Sequence, residues 1–421
     1  MSDLAESTKS DPRRAGTRRV DAPCTNIPRH SLPPRPGIAA LTDLAVDPWR
    51  ALADHAAEPN GYFLPEWELA VNAFSPGRGD VAALTAWSDG PSPQLIGLLP
   101  AVSAWRAFRI PLPALVSADP YGTLGTPLLH ADATDIAARK LLRQARDAGM
   151  RALVLRNVAL DGAAFAALSR VLAQDNVQDN VQDNVQDNIQ HNLAPVVLRS
   201  IRRASLDATR DADALLHEAL GAKKLKELRR QRHRLGDHGA VRFDVARTPD
   251  AVARALEVFL VLEASGWKAK RGTALAQNDG DARFMRTAAR DLSARGACEI
   301  VTLSAGDTAI AAGVVLRQRD RAFWFKLGID ERFAKFSPGV QLALELTRHL
   351  CADPTIAFAD STASPNHPMI DPIWRGRLAI GDVLLPLVPR DPVVMALHTA
   401  LTLREAARDT ARRIVKRLRG R

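Results

Sequence analysis

The carboxylate of Glu263 falls three and four residues after Leu260 and Phe259, on the helical face that has to bury them. A carboxylate so placed is either paired or raised in pKa, and both conditions suit a general base working near neutrality. The plainer alternative is a helix-end ion pair, to Lys268 or to an arginine. Gly266, Trp267 and Lys268 follow at once, so that the helix ends and an indole is set beside whatever Glu263 faces. A second concentration of chemistry lies in residues 323–341, FWFKLGIDERFAKFSPGVQ. Phe323, Phe325 and Leu327 alternate as in a strand; this points Lys326 away from Phe325 and puts Asp330 where pairing stops, though both charges also suit a solvated element end. Ser337, Pro338 and Gly339 then open a helix: a serine cap, a proline in the first turn, and a glycine that lets a ligand approach the backbone. Unpaired N–H groups there can hold an anion such as a pyrophosphate, although capping alone accounts for the same residues. Asp360 ends the next strand, and Ser361, His367 and Trp374 stand in the loop beyond, where His367 in Asn-His-Pro also reads as an ordinary loop histidine.

Several chemistries are disfavoured. The only cysteines are Cys24, Cys298 and Cys351, without CxxC or metal-like His/Cys spacing, so neither a disulfide framework nor a metal site is expected. No GxSxG, P-loop, GxGxxG or HExxH occurs, which removes the best support for serine hydrolase, nucleoside triphosphatase and simple dinucleotide readings. No stretch approaches the apolar length of a membrane span, and the first residues lack the apolar core of a secretion signal. A cytoplasmic protein is expected. The net charge of +10 is concentrated: residues 222–235 carry seven Lys/Arg and one Glu, and residues 404–421 carry eight Lys/Arg and two acids. Such faces attract phosphates, acidic lipid or nucleic acid, or are simply solvated.

With 421 residues, 46% of them hydrophobic, the chain can bury two cores. Residues 1–40 are rich in Pro, Arg and Ser without periodicity and read as a disordered basic arm. Residues 41–173 show two short helices, strands at 81–88 and 94–102 joined by Asp-Gly-Pro-Ser-Pro, a helix at 133–148, a strand at 151–158 and a helix at 162–173. Five copies of a QDNV-like unit fill 174–193; their apolar positions wind slowly around a helix, and a length-tolerant linker is expected. In 194–390 a basic helix (211–236) precedes a strand, the Glu263 helix, a three-strand meander, the helix from Pro338 and a returning strand, TIAFAD. A helix joining two strands this way makes them parallel neighbours. Residues 391–421 read as a basic amphipathic helix with Leu403, Ala407, Ile414 and Leu418 on one face. The class is α/β with mixed sheets.

Taken together, ExxGWK (263–268), AIAAGVVL, FKLGIDERFAKFSPG, the strand ending in Asp360 and the later Trp374 resemble the GNAT-superfamily acetyltransferases of the CelD/BcsL type, associated with cellulose and exopolysaccharide synthesis. EPNGYFLPEWELA and LIGLLPAV resemble that family's N-terminal half, and the likeness spans residues 48–387 without the repeat. The family is similar to the Fem-type transferases, which implies two tandem GNAT-like domains, each a mixed sheet flanked by helices, with acetyl-CoA or another acyl-CoA as donor and no metal. On that resemblance the thioester enters where strand 321–328 parts from its parallel neighbour, and Lys326, Ser337, Gly339 and Val340 hold the donor. Glu263, then Asp330 or Asp360, takes the acceptor proton, and Trp267, Lys268, His367 and Trp374 face a small-molecule or glycan acceptor. The donor loop is poorer in glycine and basic residues than the family pattern. Two alternatives stand beside this reading: a Fem-like aminoacyl-tRNA transferase using the basic helix for nucleic acid, and a catalytically degenerate scaffold whose C-terminal helix docks on an acidic membrane surface or a synthesis complex.

Overall fold

Every alternating segment of the sequence enters one continuous mixed sheet. The computed structural model describes residues 38–182, 193–266 and 272–419. The basic arm (but for its last residues), the second half of the repeat, and Trp267 and Lys268 lie outside the described residues. In chain order the first half holds β1 (Ala39–Ala40), α1 (Val46–Asp54), α2 (Pro65–Phe74), β2 (Ala82–Trp87), β3 (Leu95–Ser103), α3 (Ala104–Phe108), β4 (Ala114–Ser117), β5 (Leu128–Leu129), α4 (Thr134–Asp147), β6 (Ala152–Ala159) and α5 (Ala163–Gln182). The second half holds β7 (Val196–Asp207), α6 (Ala212–Leu235), β8 (Val241–Ala246), α7 (Pro249–Ser265), α8 (Asp279–Ser293), β9 (Cys298–Ala305), β10 (Thr308–Gln318), β11 (Arg321–Ile329), α9 (Pro338–Cys351), β12 (Phe358–Asp360), β13 (Gly376–Pro386) and α10 (Pro392–Arg419).

The strand order is β1-β2-β3-β4-β6-β13-β7-β12-β11-β10-β9-β8, with β5 beside β3. Two five-stranded sets thus repeat one another, β1-β2-β3-β4-β6 and β8-β9-β10-β11-β12. Each is a meander closed by a helical crossover and a parallel last strand: Ala114–Val116 pair with Ala152–Val154, and Arg321–Phe323 with Phe358–Asp360. The sets are joined by the antiparallel pair β13–β7. The helix after β6 runs on to Gln182, so the expected linker begins as a helical extension of α5. The Pro-rich turn and the kink at Gly221, whose φ of 72° lies in the left-handed region, account for the breaks at Pro59-Asn60 and within the basic helix.

Two cores were expected, but the largest core is shared. Trp49, Tyr62, Phe63 and Trp67 from the first half pack in the same cluster as Phe259, Phe284 and Phe323 from the second. The opposite sheet face is covered separately in each half, by α6 and α9 around Trp324 and Trp374, and by the start of α10, whose Leu397 and Leu401 lie on β4 and β6. The C-terminal helix is therefore docked at its beginning, while Leu403 stays 65% exposed. Buried polar ties cross between the halves: the Asn60 N–H donates to Gln318 Oε1 (2.5 Å), and Arg203 on β7 donates to the Thr123 carbonyl (2.7 Å) while pairing with Asp360 on β12.

Candidate functional site

Strands β11 and β12 stay together for three residues and then part. The last tie is Thr362, whose hydroxyl donates to the Trp324 carbonyl at 2.6 Å. At the same level the register of β11 against β10 shifts: Val315 faces Trp324 and Val314 faces Lys326, leaving Phe325 as an extra, bulged residue. This bulge overturns the expected alternation. Phe325 and Lys326 both reach Tyr121, with ring centroids 6.3 Å apart and the Lys326 ammonium 5.4 Å from the Tyr121 ring. A strict pleat would send them to opposite faces.

Helix α7 lies directly on this strand because Gly328 has no side chain; a Cβ there would come within 2.7 Å of the Glu263 backbone nitrogen. The contact sets Glu263 over Lys326. Its Oε1 accepts from the Lys326 ammonium at 3.2 Å and its Oε2 from the Leu275 N–H at 2.9 Å. The Glu263 side chain is fully covered, whereas Lys326 keeps 21% of its side chain exposed. The ion-pair reading of Glu263 is thus realised with Lys326, a partner the bulge delivers. The neighbouring Tyr121 donates to Asp281 Oδ2 at 3.0 Å on α8, and burial, followed by the Asp281 charge, raises its pKa so that it stays a phenol. Aromatic rings floor the arrangement: Trp67 meets Phe325 and Phe284 edge-on, both at 4.9 Å.

The other expected residues separate from this group. Asp330 caps the turn 331–336 by accepting from the Arg332 N–H (3.0 Å) and pairs with its guanidinium (2.7 Å); that hydrogen bonding holds its carboxyl below the usual range, the opposite of what a base needs. Asp360 is wholly buried against Arg203 and accepts the Thr362 N–H at 2.8 Å, so it serves as an anchor. Ser337 occupies the cap position of α9 with φ 54°, but its hydroxyl makes no capping bond. The close approach that Gly339 permits is used by the protein itself: a Cβ there would meet Met369 Sδ at 2.9 Å and Leu327 Cδ2 at 3.2 Å. Met369 thus lies beside Gly339, and Val340 packs partly into the core below. Trp374 is a core residue donating to Thr347 Oγ1 at 2.9 Å, not an acceptor-facing indole. His367 remains in its loop, where Nδ1 accepts the Met369 N–H at 3.4 Å. Trp267 and Lys268 lie outside the described residues. Among the described residues no group of His, Cys, Asp and Glu is arranged to hold a metal.

Tyr121, Asp281 and Glu68 escaped the sequence reading. Only the Asp119-Pro120-Tyr121-Gly122 turn directly after a short apolar strand carried a signal. Glu68, on α2, is fully buried and neither carboxylate oxygen has a hydrogen-bond partner among the described residues. Burial, then the charge of Asp119, pushes its pKa up to about 8. As pH rises from about 4.5 the unfolded chain releases a proton that the folded chain keeps, so stability falls until about pH 8. Glu68→Gln should therefore stabilise the protein, by about 2 kcal/mol at pH 7 and much less at pH 5. Urea denaturation at pH 5, 7 and 8.5 checks this; a gain independent of pH would refute it.

Residues 222–363 match the family model described as an acetyltransferase (GNAT) domain. Among solved structures, FemX superposes with a TM-score of 0.51 at 8% identity, covering 84% of this chain and 98% of that one. The C-terminal domain of a protein assigned as a lysylphosphatidylglycerol synthetase from Agrobacterium fabrum gives 0.49 at 11% identity, over 85% and 95% of the two chains. A tandem GNAT protein from the clavulanic acid biosynthesis pathway gives 0.35 at 14%, over 84% and 99%. No curated protein sequence matches. The second half of the chain holds a GNAT-type domain, and the protein is an acyltransferase.

Proposed function

We propose that the protein transfers an acyl group, acetyl in the first instance, from coenzyme A to an amine or hydroxyl of a small-molecule or glycan acceptor, in the manner expected of the CelD/BcsL type in exopolysaccharide or cell-envelope synthesis. The observation that carries this is the parting of β11 from β12 beside a bulge, with the Glu263–Lys326 pair at its edge. The acceptor attacks the thioester carbonyl; the new C–N or C–O bond forms as the C–S bond breaks, and the coenzyme leaves as a thiolate that takes up a proton. Backbone released by the bulge at Phe325, together with the Lys326 ammonium, stabilises the oxyanion. Glu263, covered by Lys326, receives the acceptor's proton through it. Thermal denaturation with millimolar acetyl-CoA, followed by thiol release with a panel of amino sugars and glycans, tests the reading. Protection together with acceptor-dependent thiol release is expected; neither protection nor retained acyl-CoA by mass spectrometry would sink it and favour a scaffold.

A second reading has one observation in its favour. Helix α6 exposes Lys223, Lys224, Lys226, Arg229, Arg230 and Arg234 along its outer side, a surface suited to the phosphates of an aminoacyl-tRNA donor. RNA copurifying with the protein, and binding that weakens steeply with salt, would replace coenzyme A by that donor. The basic sequence of residues 404–421, with eight Lys/Arg, suits acidic lipid or a synthesis complex, which vesicle flotation with and without residues 403–421 would test.

A further inference from the structure

The first half repeats the parting of strands seen in the second, and there it leaves an open pocket. Strands β4 and β6 pair over three residues and are tied once more where the Arg156 N–H donates to Ser117 Oγ at 2.9 Å. Beyond that tie lies a pocket of about 260 Å³ lined by Arg78, Arg106 and Arg156 together with Ser117, Val102 and Asp119. Three guanidiniums line this pocket against two partnering carboxylates, which leaves one positive charge in excess. Asp119 reaches Arg78 at 3.4 Å and the exposed Asp80 reaches Arg106 at 3.3 Å. Arg156 pairs with no carboxylate among the described residues. Positive charge extends behind it: burial, then Arg408 and Arg156, lower the pKa of Arg404, whose Nε is buried without a hydrogen-bond partner among the described residues. Arg78 Nε is likewise buried without a hydrogen-bond partner.

Like charges gathered around one concavity repel, and a bound anion removes that repulsion. Guanidinium forks match tetrahedral phosphate oxygens two at a time, and a volume of this size fits a compact group better than a whole cofactor. We propose that the pocket at the end of β4 and β6 is a second ligand site, for the phosphate group of a phosphate-ester ligand. Arg78 lies 4.2 Å over the Tyr121 ring, whose surroundings include Lys326. The phosphate site and the Glu263–Lys326 pair are thus one aromatic ring apart. The site stands whether or not the other cleft takes acyl-CoA.

The test is calorimetric titration of the full chain with inorganic phosphate and with pyrophosphate at constant ionic strength, in the presence and absence of acetyl-CoA. Saturable binding is expected, weakened about tenfold or more in Arg156→Gln and in Arg106→Gln and only partly restored in Arg156→Lys, which keeps the charge but loses the fork. Unaltered denaturation of the variants without phosphate separates lost binding from lost folding. Absence of saturable binding, or equal binding in wild type and both glutamine variants, overturns the proposal. Phosphate binding without any acetyl-CoA binding supports this site while contradicting the donor proposed above.

Discussion

Glu263→Gln is expected to lower kcat for acyl transfer by about 10²–10⁴-fold while leaving the KM for donor nearly unchanged. Glutamine preserves the shape and can still accept the Leu275 N–H, so the helix and its contact at Gly328 should persist. What disappears is the carboxylate that faces the Lys326 ammonium at 3.2 Å. Lys326→Met should lose a comparable factor, and the double variant little more than either single one, because the two groups act as a unit. Lys326→Arg separates the two tasks assigned to the lysine. It keeps a positive charge for the oxyanion but cannot release a proton, so a relay through position 326 predicts that activity stays low, whereas a purely electrostatic role predicts recovery. Full activity in Glu263→Gln would show that the proton goes elsewhere.

Arg203→Ala should destabilise the protein by about 3–5 kcal/mol. Arg203 and Asp360 are both essentially unexposed, and the alanine variant would leave the Asp360 carboxylate buried with only the Thr362 N–H to compensate it. The same arginine donates to the Thr123 carbonyl in the first half, so its loss also opens a joint between the two five-stranded sets. Replacing the pair together by apolar residues of similar volume should recover most of the loss, since it is the stranded charge, not the missing attraction, that dominates. Chemical denaturation of the single and double variants decides this; an Arg203→Ala protein within about 1 kcal/mol of wild type would refute it.

Local pattern made much of this fold legible. The hairpin at 82–103, the helices α4 and α7 and the meander β9–β11 follow from alternation, turn residues and capping. The parallel return of β12 followed from the short helical crossover. Three elements escaped for stated physical reasons. β7 begins after the repeat and alternates Arg and Ser with its apolar residues, because its outer part is exposed. β13 looks like a trailing segment, since nothing local reveals that it pairs with residues near 155 and 200. α8 has a strongly polar sequence whose few apolar residues all face the shared core.

The site divides in the same way. Glu263 was visible because a carboxylate interrupts an otherwise apolar helical face, but its partner was not, because the bulge that turns Lys326 toward it breaks the period on which the reading relied. Tyr121, Asp281 and Arg203 act through partners more than 150 residues distant along the chain, which spacing alone cannot show. At Ser337 and Gly339 the signals for a helix start and for a phosphate seat are the same residues, and the side chain that lies beside Gly339, Met369, stands thirty residues further on.

The place of β13 in the sheet has a bearing on how the chain is made. The strand in the middle of the sheet follows every other strand of the described residues in chain order. Until residues 376–386 emerge, β6 has an open edge, and β7 has only β12 beside it. Both edges then wait exposed while the whole second set is synthesised, and they can be closed only by an intramolecular insertion that draws the two sets together. Commitment to the final topology therefore waits on residues 376–386, and a nascent chain halted before Gly376 carries two unprotected strand edges on one polypeptide.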